Sequence, residues 1–124
     1  MKKMGMATAV LALAALLARA ETTEWMTDFD AAQKKAAEKK LPILADFSGS
    51  DWCGWCIRLD KEVFSQKEFR EYAKTGIVLF LADFPQRKKL PAKLVKQNER
   101  LSGKYAIKGF PTVLLLDAKG KVLA

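Results

Sequence analysis

The sequence predicts an α/β fold, a central mixed β-sheet flanked by helices. Two observations predict it. Apolar runs of strand length at 41–47, 77–82 and 112–116 alternate with stretches of helical spacing, which places helices on both faces of a sheet. The last run is joined to 121–124 by the turn Asp117-Ala118-Lys119-Gly120, too short for a crossover, so that pair is expected to be antiparallel.

The first twenty residues stand apart. Lys2 and Lys3 precede a short apolar stretch that ends in Ala18-Arg19-Ala20, a small-x-small site. Such a segment is expected to be a signal peptide cleaved after Ala20, with 21–124 as the mature domain. The stretch falls short of the ~20 residues that span a bilayer, which disfavours a retained membrane anchor. The protein is then expected to be periplasmic or secreted, where a disulfide persists.

Each later element has its own signal. Thr27 or Asp28 can cap a helix running through Phe29, Ala32 and Ala36 to about Lys40, with Trp25 and Phe29 as apolar anchors. The run 41–47 reads as a buried strand, with Pro42 tolerable only at its start. A polar loop, Ser48-Gly49-Ser50-Asp51, leads to a helix from Trp52 or Cys53 to about Phe64, with Ile57, Leu59 and Val63 as its apolar positions. Ser65-Gln66-Lys67-Glu68 has the pattern of a capping box, so a fresh helix is expected there, ending near Gly76. The run 77–82 is a second strand. Pro91 suits the first turn of a helix with Leu94, Leu101 and Tyr105 inward. The run 112–116 is the third strand.

Composition limits the chemistry. The chain has 124 residues, 50% hydrophobic and 29% charged, a net charge of +8, no histidine and two cysteines. Without histidine there is no Ser-His-Asp triad, no His-ligated zinc and no haem attachment site of the Cys-x-x-Cys-His kind. Two cysteines do not complete a structural zinc site, so no metal or cofactor is expected; transient capture of a soft ion such as Cu(I) by two thiolates is the weaker idea. Arg87-Lys88-Lys89 has no interleaved aromatics and reads as a solvated helix start, so no nucleic-acid partner is expected.

The informative segment is Trp52-Cys53-Gly54-Trp55-Cys56. Cysteines three apart on one helical turn share a face and can bridge. The first lies at the helix N-terminus, where free N–H groups favour thiolate. Cys53 is therefore expected to be the exposed nucleophile and Cys56 the resolving thiol of a disulfide exchange. A purely structural bridge is the plainer reading, though so short a loop adds little by chain entropy. Asp46 falls on an apolar strand, where it is either a buried acid able to move a proton for Cys56 or an ordinary loop-end carboxylate. Trp52 and Trp55 are either an apolar rim for substrate or packing residues. In Gly109-Phe110-Pro111-Thr112, the residues alone favour a trans proline at a strand start over a cis one.

Together these segments resemble the thioredoxin family over roughly 27–124. Phe47, the Trp52-Cys53-Gly54-Trp55-Cys56 motif, Tyr105-Ala106-Ile107-Lys108-Gly109-Phe110-Pro111-Thr112 and Asp117-Ala118-Lys119-Gly120-Lys121 fall in the family's order and spacing. Ser48-Gly49-Ser50-Asp51 and Glu62-Val63-Phe64 are more similar to its exported bacterial branch than to cytosolic thioredoxin. The resemblance implies a thioredoxin-like fold and a protein-disulfide oxidoreductase. It implies Cys53 as attacking thiol, Cys56 as resolving thiol and Asp46 as the buried acid. Pro111 becomes the cis proline facing the site, and Trp52, Gly54, Trp55 and Phe110 substrate contacts.

Gly54-Trp55 departs from the Gly-Pro of thioredoxin and from the Xaa-His of strong oxidants. The loop before Trp52 is one residue longer than in thioredoxin. The family's final helix would lie beyond Ala124, so the C-terminal part of the domain is expected to be missing from this chain. The expected partners are protein thiols and disulfides and a membrane or soluble redox partner that resets the pair. The reductive direction is favoured and a monomer is expected. The alternative is a non-catalytic thioredoxin-like module that binds polypeptide beside Pro111.

Overall fold

The structure, a computed structural model, describes residues 25–124. The expected leader and its cleavage site lie outside these residues.

Helix α1, Phe29–Lys39, begins where Asp28 accepts a hydrogen bond from the Ala31 N–H, and Lys40 ends it by turning left-handed at φ 56°. Strand β1, Ile43–Ser48, starts two residues later and ends one residue later than the apolar run suggested. Strand β2, Val78–Asp83, pairs with it in parallel, and β3, Thr112–Leu116, pairs on its other side antiparallel, giving the order β2-β1-β3. The sheet is mixed as expected, but its antiparallel ladder is β1–β3. Residues 121–124 add one bridge, Leu116 to Val122, and not a full strand among the described residues. The Asp117 carboxylate accepts the N–H of both Lys119 and Lys121, so the turn takes up residue 121.

Side-chain alternation sorts the sheet into two faces. Ile43, Ala45 and Phe47 join Val78, Phe80, Ala82 and Leu116 against Phe29, Ala32 and Ala36 of α1. Leu101 closes this core from helix α4, Ala92–Lys104. The opposite face carries Leu44, Leu79 and Leu115 and packs against Phe69 and Ala73 of helix α3, Lys67–Gly76. On β1 that second face also carries Asp46 and Ser48, the positions of the same parity.

The segment bearing the cysteines departs from expectation. Helix α2 covers Gly54–Leu59 and continues as a π-helical segment, Asp60–Phe64. Cys56 is buried on the α-helical turn and Phe64 on the π-helical one, while Ile57 and Val63, two of the expected apolar positions, are exposed. The capping box does not form. The Ser65 hydroxyl donates to Asp60 at 3.2 Å, and α3 starts after Gln66 with no side-chain cap. Arg87-Lys88-Lys89 lies in a loop before α4, which Pro91 precedes as its N-cap.

Gly120, at φ +86°, fills a position that only glycine suits. A Cβ there would approach the Tyr105 hydroxyl to 2.9 Å, and that hydroxyl donates to the Gly120 carbonyl.

Candidate active site

Cys53 is the N-cap of α2 and is joined to Cys56 by a disulfide, with Cα atoms 5.2 Å apart. The Cys56 N–H donates to Cys53 Sγ at 3.2 Å. This contact folds Cys53 back over the first turn, so it is 6% exposed, about as buried as Cys56. The expected exposed Cys53 is therefore corrected for this disulfide state. The residues that reach solvent beside the pair are Gly54, with open space above its Cα, and Trp55, 68% exposed.

Trp52 is tied down. Its indole N–H donates to the Phe84 carbonyl at 2.7 Å, and its ring meets Phe110 edge-on. A side chain on Gly49 would run into the same indole, so the loop glycine is what lets Trp52 lie flat. The Phe110–Pro111 bond is cis. This overturns the expectation drawn from the residues alone and agrees with the one drawn from the family. Pro111 faces Trp55 and Leu59 across an open groove of about 620 Å3, with Arg58 and Glu62 at its edge. Arg58 lies over the Trp55 ring and pairs with Glu62 at 2.9 Å.

Behind the pair lies a cavity of about 230 Å3, lined by Cys56, Asp60, Ser48, Ser50 and the apolar Trp25, Ile57 and Leu81. Asp46 shares a sheet face with Ser48 and is the register partner of Leu81, so its carboxylate belongs to this side of the sheet. It is a buried acid and not a solvated loop end. Its Oδ1 is buried without a hydrogen-bond partner among the described residues. Burial chiefly, then the charges of Asp60 and Asp83, push its pKa up from 3.8 to about 6.

Sequence reasoning did not single out the residues that anchor this site. Asp83, buried at the end of β2, accepts hydrogen bonds from the Ser50 N–H and hydroxyl and pairs with Lys88 at 3.4 Å. Asp51 accepts the backbone N–H groups of Gln86, Arg87 and Lys88, each at 2.9 Å. These donors hold its carboxyl below the usual range, the Gln86 N–H most strongly. The loop that delivers Trp52 and Cys53 is thus latched to the loop after β2 at two points. Such contacts span more than thirty residues, and no local motif announces them. The ring of Phe84, 5.0 Å from that of Phe110, extends the apolar surface beyond Trp52.

Comparison with known proteins places the chain. The pattern of a family described as a thioredoxin-like domain matches residues 29–124. The chain is 33% identical over 105 residues to the protein named Disulfide bond reductase DsbH of Chlamydia pneumoniae, covering 85% of this chain and 63% of that one. It is 32% identical over 93 residues to the Thioredoxin-related protein DsbJ of the same organism, covering 75% of this chain and 27% of that one. It therefore spans less than two thirds of either relative. A solved structure titled DsbH Oxidoreductase superposes with a TM-score of 0.78 at 32% identity, covering 83% of this chain and 71% of the other.

Proposed function

The chain belongs to the thioredoxin-like family, and on that premise we propose that it is a thiol–disulfide oxidoreductase acting on protein disulfides through Cys53 and Cys56. One observation carries the reading. The two cysteines form a disulfide at a helix N-terminus, with an N–H of the first turn aimed at Cys53 Sγ and, on the sheet face behind, the buried Asp46, whose Oδ1 has no hydrogen-bond partner among the described residues. The names of the relatives, a disulfide bond reductase and a thioredoxin-related protein, support it.

In the reductive direction both cysteines start as thiols. The Cys56 N–H stabilises a thiolate on Cys53. That thiolate attacks one sulfur of a substrate disulfide, forms a Cys53–substrate disulfide, and expels the other sulfur as a thiolate that takes a proton. Cys56 gives its proton to Asp46, attacks Cys53 Sγ, and releases the second substrate thiolate. The products are a reduced substrate and the Cys53–Cys56 disulfide, which a redox partner returns to two thiols. Asp46 suits the step because its raised pKa lets it gain and lose a proton near neutrality. Trp52, Trp55, Phe110 and Pro111 offer an apolar surface for an extended substrate segment, and Gly54 keeps the approach to Cys53 open. We place the reaction outside the cytoplasm, a reading supported by the leader-like start of the sequence, and in the reductive direction.

The test is trapping. A Cys56→Ser variant is expected to accumulate a mixed disulfide with a peptide disulfide, and Cys53→Ser to form none and lose turnover to background. Peptide binding that persists in Cys53→Ser, with no turnover in the unaltered protein, would identify an adaptor instead.

A further inference from the structure

The Trp52–Phe110–Phe84 surface does not end at Phe84. The far side of Phe84 opens into a pocket of about 430 Å3 between the loop after β2 and helix α4. Phe84, Pro85, Leu90 and Val95 supply its apolar walls, and Lys88 and Lys89 stand at its rim. Val95 is 40% exposed on a helix surface, where a solvated side chain would ordinarily face water. The pocket is large enough for an aromatic side chain, and neither cysteine lines it.

We propose that this pocket is a docking site for a bulky apolar side chain of the substrate polypeptide, a few residues away from the reacting cysteine. Two observations select that occupant. The first is continuity. Ring centres 6.0 Å apart from Trp52 to Phe110 and 5.0 Å apart from Phe110 to Phe84 lead from the redox pair to the pocket, a path of about three residues of extended chain. The second is charge. Lys88 is engaged by Asp83, Arg87 lies beside the Asp51 carboxylate, and Lys89 in the lining is matched by Glu99. The pocket therefore carries no net charge and, with its apolar walls, suits an uncharged apolar side chain. The Asp51 latch fixes Gln86, Arg87 and Lys88 by their backbones, so the pocket wall is held in register with the loop carrying Trp52 and Cys53. The pocket gives the oxidoreductase a preference among protein disulfides, and in that sense the proposal rests on the thiol-exchange reading.

The experiment separates the two. The oxidised full chain, labelled with 15N, is titrated with a cysteine-free peptide carrying one phenylalanine flanked by serines, and with its Phe→Ala counterpart. Shifts are expected over 84–90 and at Val95, with the alanine peptide binding about tenfold more weakly because it leaves the pocket unfilled. The protein variant Val95→Arg is expected to remove that tenfold difference. Shifts elsewhere, equal affinity for the two peptides, or a Val95→Arg protein that still discriminates between them would each overturn the proposal. The peptide comparison uses the unaltered protein, so it stands even if the variant folds poorly. Failure of the thiol chemistry would appear separately, as reduction of disulfide peptides that is absent or that survives Cys53→Ser.

Discussion

Replacing Asp46 by asparagine is expected to stabilise the protein and to slow it. The carboxylate is buried, faces Asp60 and Asp83, and has its pKa pushed from 3.8 up to about 6. An acid whose folded pKa lies above its unfolded one binds protons more tightly when folded, so its ionisation opposes folding. The penalty is absent below pH 3.8, grows between 3.8 and about 6, and is complete above that. Each tenfold change in proton affinity is worth about 1.4 kcal/mol, so the rise corresponds to about 3 kcal/mol. Asparagine keeps the size and buries comparable polar atoms without the charge. The quantity to follow is the difference in unfolding free energy between Asp46→Asn and the unaltered protein, by urea denaturation of the oxidised forms from pH 4 to 8. It is expected to move in favour of asparagine by up to about 3 kcal/mol between those limits. In the same variant, release of the mixed disulfide is expected to slow by on the order of 100-fold, the usual contribution of a positioned proton acceptor. A stability difference that stays flat with pH would refute the assignment of Asp46 as a strained, buried carboxylate.

Three further outcomes follow from the same geometry. Asp60→Asn removes one of the charges that raise the Asp46 pKa, so the pH midpoint of mixed-disulfide resolution is expected to move down; an unchanged midpoint would remove Asp60 from the site's electrostatics. Trp55→Ala removes an exposed aromatic beside Cys53, and is expected to raise KM for a peptide disulfide by about tenfold, with stability changed by less than about 0.5 kcal/mol in denaturant melts. Gly120→Ala forces a Cβ against the Tyr105 hydroxyl at a left-handed φ, and is expected to cost about 1–3 kcal/mol in the same melts.

Much of the fold was legible because its signals are local. Asp28 caps α1 as its position implied, and the three apolar runs became the three strands, since burial on both faces demands continuous hydrophobicity. The cysteine motif named the centre of the candidate site for the same reason. What escaped depends on contacts distant in sequence or on backbone detail. The π-helical segment carries Phe64 inward in place of Val63, and the disulfide holds Cys56 inward in place of Ile57, where hydrophobicity alone had favoured Ile57 and Val63. Ser65 was drawn away from capping by Asp60. Cys53 is buried because the Cys56 N–H and the disulfide fold it inward. Asp51, Asp83 and Phe84 shape the site through partners thirty or more residues away, a kind of information that single-sequence spacing does not carry. The cis Phe110–Pro111 bond was reached only through family likeness, because the residues alone favour trans.

The central claim is that Cys53 and Cys56 form a reversible couple that exchanges with other disulfides. The most direct test is to equilibrate the protein in glutathione and dithiothreitol buffers of graded potential and to count thiols by mass after alkylation, with Cys53→Ser as control. A single two-electron transition near about −270 mV is expected for a reductant. A transition above about −200 mV would retain the exchange chemistry and reverse its direction. A pair that stays locked as a disulfide, or stays reduced, across the whole range would contradict the account.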